Sequence, residues 1–139
     1  MLLGEYKYNV DAKGRLFIPA RLRDETGDSL VVTRSLDKCI NVYSAKEWQV
    51  FVDKLVNLPE ITAAKVKRFI FSSAMEINAD SMGRIVLPQK LRESANISKS
   101  VIILGVDNHA EIWAEEEYAK YEESCDTEEM LKLLSGYSF

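Results

Sequence analysis

The sequence predicts an α+β fold in which two copies of one β-α-β-β unit, each followed by a helical hairpin, pack as a single pseudo-twofold body. Three observations predict it. Residues 11–24, DAKGRLFIPARLRD, recur as residues 80–93, DSMGRIVLPQKLRE, with six of fourteen positions identical and five more exchanged like for like. Each copy spans roughly forty residues, too few to bury a core alone, so the copies must share one. At 139 residues, 47% apolar and 29% charged, the chain has the composition of one globular domain or two very small ones.

Each copy begins with an Asp-x-x-Gly-Arg turn, where Gly14 and Gly83 can take the positive φ that a β-carbon resists. Leu16-Phe17-Ile18 and Ile85-Val86-Leu87 follow as short strands, closed by Pro19 and Pro88 in the first position of a helix. That helix is anchored by Leu22 or Leu91 and ends near Gly27 or Asn96, both tolerant of a left-handed cap. A hairpin closes each copy: Leu30–Thr33 with Cys39–Tyr43, and Val101–Leu104 with Glu111–Trp113, turning at Leu36-Asp37-Lys38 and Asp107-Asn108. After a one-residue insertion, residues 30–48 align with 100–118, setting Val42 against Ile112 and Tyr43 against Trp113.

The connector is helical. Ser44-Ala-Lys-Glu47 reads as a capping box, and Trp48, Phe51, Val52 and Leu55 follow at helical spacing. Pro59 breaks that helix, Thr62 can cap a second, and Val66, Phe69 and Ile70 form its apolar face. The pattern recurs after the second copy, with Tyr118 and Tyr121 on an acidic helix and Thr127 capping a last turn that holds Met130, Leu131 and Leu134. The expected divisions are a first repeat at 5–47, a helical connector at 48–75, a second repeat at 76–119 and an acidic helical segment at 120–139.

Charge is unevenly divided. Residues 115–139 carry eight acids against Lys120 and Lys132, a net of −6, while the other 114 residues carry 16 basic and 14 acidic side chains, a net of +2. An acidic total therefore does not exclude nucleic acid, since a local basic face sets the field a phosphate meets. The longest apolar stretch, Val101 to Val106, is too short to span a bilayer, and the first residues lack the basic start of a secretory signal. Two cysteines, Cys39 and Cys125, make neither a disulfide framework nor a zinc site, and fit a reducing cytosol. No constellation for catalysis, cofactor or metal is legible: His109 reads as a solvated turn residue, and Glu115, Glu116 and Glu117 fan round a helix as a solvated face.

The basic residues are more informative. Lys13, Arg15, Arg21 and Arg23 fall in the first fourteen-residue window, and Arg84, Lys90 and Arg92 in the second, giving net charges of +2 and +1. Packed about a pseudo-twofold, the two turns and short helices can lie on one side and offer a surface for phosphates and groove edges. The plainer reading pairs Arg15 with Asp11 and Arg84 with Asp80 across each turn. Both hold if the aspartate orients the arginine. Trp48, Phe51 and Phe69 either cover the sheet or meet a neighbouring subunit.

Asp-x-Lys-Gly-Arg-x-x-x-Pro-x-x-x-Arg, repeated as Asp-x-x-Gly-Arg-x-x-x-Pro-x-x-x-Arg, resembles the paired SpoVT-AbrB motifs of the MraZ family. Gly4-Glu5-Tyr6, Leu36-Asp37-Lys38-Cys39 and Glu111-Ile112-Trp113 are similar to that family too. The resemblance implies a tandem swapped-hairpin β-barrel, both halves supplied by one chain. It implies a ring-shaped homo-oligomer that binds short promoter repeats in double-stranded DNA and represses the division and cell-wall gene cluster from the cytoplasm, at the nucleoid. Arg15 and Arg84 match the family's DNA-contacting positions; Arg23 and Arg92 match basic helix positions of AbrB-like proteins, and Lys13 has no basic counterpart at Met82. The rival readings are an AbrB-like antitoxin or scaffold whose basic face binds an acidic protein, and an enzyme with a pocket around His109.

Overall fold

Strand exchange between the repeats organises the molecule, whose computed structural model describes residues 1–139. The first repeat comprises β1 (Glu5–Asn9), β2 (Arg15–Phe17), α1 (Ala20–Thr26), β3 (Ser29–Arg34) and β4 (Cys39–Ser44). Helix α2 (Ala45–Lys54), a 3-10 turn (Leu55–Asn57) and α3 (Glu60–Phe71) connect it to the second. That repeat comprises β5 (Met75–Asn78), β6 (Arg84–Val86), α4 (Gln89–Ser94), β7 (Ser100–Val106) and β8 (His109–Ala114), followed by α5 (Glu115–Ser124) and α6 (Thr127–Leu134).

Six strands form an antiparallel sheet in the order β1-β7-β8-β4-β3-β5, and β2 pairs with β6 as a separate ribbon. Exchanging the repeats reverses this order onto itself. The first strand of each repeat pairs with a strand of the other: β1 with β7, and β5 with β3. Asn41 faces Glu111 where β4 meets β8, and Leu16 faces Ile85 where β2 meets β6. Each pair consists of equivalent residues, so the pseudo-twofold axis passes through both. The sheet does not close by hydrogen bonds into a barrel; β1 and β5 are its edges, and the β2–β6 ribbon lies beyond them.

One cluster of 19 buried apolar residues drawn from both repeats fills the interior, including Leu16, Leu22, Val32, Ile40, Ile85, Leu91, Ile103 and Ile112. Burying each such side chain stabilises the fold by about 1.5–3 kcal/mol. Neither repeat holds this cluster alone, so α+β architecture and repeat exchange are one fact.

Local details depart from the sequence reading. Pro19 and Pro88 are N-caps with extended ψ of 134° and 139°, not first helical residues. Their carbonyls accept from Leu22 and Arg23, and from Leu91 and Arg92, starting each helix without a side-chain cap. Pro59 takes the same role for α3, displacing Thr62. Asp126 rather than Thr127 caps α6, accepting from the Glu129 amide at 2.9 Å. Ser44 caps α2 as expected, accepting from Glu47 N at 3.1 Å. Strand pairing sets Leu30 opposite Ser44 and Val101 opposite Ala114, so Leu30 corresponds to Val101, one residue beyond the sequence alignment.

Candidate nucleic-acid interface

The two Asp-x-x-Gly-Arg turns have the same geometry. Asp11 Oδ1 accepts from the amides of Lys13 at 2.9 Å and Arg15 at 2.8 Å, while Oδ2 accepts from Arg15 Nε at 2.6 Å. Asp80 does the same with Met82 N and Arg84 N, each at 2.9 Å, and with Arg84 Nε at 2.8 Å. Amide donation from the arginine holds each carboxyl below its ordinary value, with help from the side chain of the same residue. Gly14 and Gly83 take φ of 78° and 81°, the left-handed conformation these turns need.

The turns are joined to opposite repeats. Gly14 O accepts from Leu87 N at 2.8 Å and Gly83 O from Ile18 N at 3.0 Å. Arg92 lies over Gly14 with its Nε donating to Leu87 O at 3.1 Å, and Arg23 lies over Gly83. Each turn therefore carries its own arginine and the helix arginine of the other repeat.

Period-two alternation decides which way the ribbon faces. Leu16 and Ile85 point inward and are buried, while Arg15, Phe17, Arg84 and Val86 share the outer face. Arg15 stands opposite Val86, and Phe17 opposite Arg84, whose guanidinium carbon is 6.0 Å from the Phe17 ring centre. Aspartate engages only the Nε of Arg15 and Arg84, leaving the terminal nitrogens for an incoming acceptor. A two-stranded ribbon fits the B-DNA major groove, and oriented guanidinium groups suit guanine edges or phosphates.

Arg15, Arg84, Arg23 and Arg92 thus come together about the ribbon, with Lys13 exposed on the first turn. Arg21 does not join them. It lies about 200° round α1 from Arg23 and lines a cleft with Met1, Leu3 and Glu25. Lys90 is likewise about 200° round α4 from Arg92. Phe17, Met82 and Val86 are exposed on or beside the ribbon, outside the basic set that the sequence singles out. The alternation of Arg15, Leu16 and Phe17 was the signal for Phe17.

His109 is not a solvated turn residue. It opens β8 half-buried, stacks on Tyr43 at 5.3 Å between ring centres, and approaches Glu111 at 3.4 Å. Glu111 also accepts from Trp113 Nε1 at 3.0 Å, and its pKa is lowered by the His109 contact first and this bond second. Trp48 and Phe51 pack on Tyr43 and cover the sheet, whereas Phe69 stays partly exposed. Burial pushes the Cys39 thiol up to about 12. No group of three or more His, Cys, Asp or Glu side chains is placed to hold a metal ion, and no helix is long and apolar enough to cross a membrane.

The family model described as "MraZ protein, putative antitoxin-like" matches residues 1–69 and 70–132. A protein named "Transcriptional regulator MraZ" from Caldanaerobacter subterraneus subsp. tengcongensis is 41% identical over 142 residues, covering 99% of each chain. Proteins of the same name from Desulforamulus reducens and Caldicellulosiruptor saccharolyticus are 44% and 46% identical over 87% and 86% of this chain, covering 87% and 85% of theirs. Among solved structures, the solution structure of PHS018 from Pyrococcus horikoshii matches at a TM-score of 0.36 and 15% identity over 78% of this chain and 94% of that one.

Proposed function

The chain belongs to the MraZ family, and from that premise we propose that it is a sequence-specific, DNA-binding transcriptional regulator without catalytic activity. It acts as a repressor of the division and cell-wall gene cluster, in the cytoplasm and at the nucleoid. A ring of subunits binds short promoter repeats in double-stranded DNA. The observation that carries this reading is the β2–β6 ribbon, which presents Arg15 and Arg84 already oriented by Asp11 and Asp80. Arg23 and Arg92 add charge beside it, and Lys13 adds more at the first turn. Arg21 and Lys90 serve as outlying phosphate contacts.

A ring suits this surface energetically. One ribbon neutralises few phosphates, and each contributes a log-log salt slope of only about −0.9. Neighbouring subunits on neighbouring repeats make later contacts intramolecular, raising avidity by roughly 10²–10⁴. The acidic segment 115–139, at −6, lies away from the DNA in this arrangement.

The test is binding to a labelled fragment of the chain's own upstream region against scrambled DNA of equal length, across a salt series. Preference for the native fragment that survives rising salt supports the proposal. Equal and steeply salt-sensitive binding to both reduces it to a basic face. No binding at low salt overturns it and favours an acidic protein partner, for which exposed Phe17 and Val86 supply apolar contact.

A further inference from the structure

Helix α6 is amphipathic but covers nothing. Met130, Leu131, Leu133 and Leu134 fall on one face, with Glu128, Glu129 and Lys132 on the other. Every residue of α6 is exposed, Leu131 by 66%, and its hydrogen bonds and ion pair are all local. Its counterpart in the first repeat, α3, packs its apolar face on β3, burying Ala63 and Ile70. A surface helix with an uncovered apolar face lacks the partner that its pattern was built for.

The same chain holds an apolar groove. Between the β3–β4 hairpin and helices α2 and α3 lies a hollow of about 400 Å³, walled by Leu36, Phe51, Val66 and Phe69. Leu36, at the hairpin tip, is 89% exposed although it belongs to this apolar wall. Leu36 and Phe69 also border an adjoining hollow of about 270 Å³ that contains Arg34 and Lys38. Arg34 is held there, its Nε donating to Phe69 O at 2.7 Å and its guanidinium carbon 3.9 Å from the Phe69 ring centre. Lys65 stands at the first hollow, so Arg34, Lys38 and Lys65 line the groove with Asp37, and Glu117 of α5 lies within electrostatic reach of Lys38, which leaves the groove net positive. The charge is complementary to Asp126, Glu128 and Glu129 of α6.

We propose that α6 of one copy of this chain docks its Met130–Leu134 face into the β3–β4/α3 groove of a second copy. Helix α6 is exposed throughout and does not dock in the groove within the chain, although Tyr121 on α5 lies near enough to Asp37 at the groove's rim to feel its charge. Between copies the contact is heterologous, head to tail, and closes into a ring when the rotation permits. The inference rests on the self-assembly part of the proposed function and is independent of DNA binding.

The test uses the full chain. Sedimentation across a concentration series compares wild type with Leu131→Glu, Leu134→Glu and Leu36→Glu, all at exposed positions where folding tolerates the change. Each is expected to weaken assembly roughly tenfold or more, as loss of an interface anchor does. In a Cys125→Ser background, chains carrying Leu36→Cys are mixed under oxidation with differently tagged chains carrying Leu131→Cys, and a mixed disulfide between tags is expected. Assembly unchanged by all three substitutions overturns the docking while leaving the ring intact. A crosslink that forms only within a chain bearing both cysteines gives the groove to that chain's own α6 and also overturns it. A wild-type chain that stays monomeric at every concentration overturns both the docking and the ring.

Discussion

Arg23 of the first repeat lies against Gly83 of the second, where a β-carbon would overlap its guanidinium. Arg92 faces Gly14 in the same way, though the nearest approach there is 3.2 Å. The repeats are thus locked by side chains as well as by strands. Gly83→Ala is expected to lose about 1–2 kcal/mol from its left-handed φ alone, and more from displacing Arg23. Adding Arg23→Ala should restore only the second part. Denaturant unfolding of both variants checks this; a double variant no more stable than the single one would refute the packing account.

Arg15→Ala and Arg84→Ala should each weaken DNA binding and reduce the salt slope by about 0.9 for every phosphate left without its cation. Arg15→Lys should rescue poorly, because one ammonium cannot both hold Asp11 and present two outward donors. Fluorescence anisotropy across a salt series measures this, with circular dichroism to verify the fold. Full rescue by lysine would show that only charge matters.

The turns should also respond to acid. Asp11 and Asp80 titrate below their ordinary 3.8 in the folded chain, so their stabilisation is present above that value and lost as pH falls through the lower folded one. Carboxyl carbon NMR should place both midpoints below 3.8, and Asp11→Asn should remove the Asp11 step. A midpoint at the ordinary value would mean that the amide bonds to Asp11 are not kept in solution.

Glu111 offers a second acid-side reporter. Its folded pKa lies below the ordinary 4.5, so the stability it lends is present above 4.5 and lost as pH falls through the folded value. Because Trp113 Nε1 donates to it, the indole N–H resonance should shift with that titration and stay still in Glu111→Gln. An indole signal that moves equally in both proteins would assign the change elsewhere.

Leu16 lies on the pseudo-twofold axis beneath the ribbon and is 1% exposed. Leu16→Ala should cost about 2–5 kcal/mol and leave one unfolding transition, since both repeats share the cavity it opens. Two separated transitions in calorimetry would instead mean that each repeat is stable alone.

What the sequence made legible was whatever repeats or punctuates. The doubled Asp-x-x-Gly-Arg turn exposed the pseudo-twofold, and Gly27, Pro59 and Ser44 marked boundaries through backbone chemistry that tertiary contacts do not alter. Strands β1 and β5 were missed because Glu5–Asn9 and Met75–Asn78 are edge strands; β1 buries only alternate residues in part, and β5 little at all. Their partners are also far away in sequence and cannot be read locally. Of the basic side chains that sequence spacing groups together, Arg15, Arg84, Arg23 and Arg92 come together about the ribbon, while Arg21 and Lys90 sit about 200° round their helices from Arg23 and Arg92, a rotation that spacing alone does not show. His109 was misread because its partner Tyr43 comes from the other repeat.

The pairing of β1 with β7 sets an order of events during synthesis on the ribosome. Residues 5–9 emerge early, but their partners at 100–106 are made only after most of the chain. At roughly 5–20 residues per second the wait is on the order of 5–20 s. Strand β3 also waits, though less, for β5 at 75–78. For that interval the nascent first half carries Tyr6 and Tyr8 without a strand partner and Val31 paired on one side only, a state that invites pairing with other nascent copies on the same messenger. The fold therefore completes only near the end of translation, and a chain truncated before residue 100 lacks the β7 and β8 partners of β1 and β4 and the core residues Val101, Ile103 and Ile112.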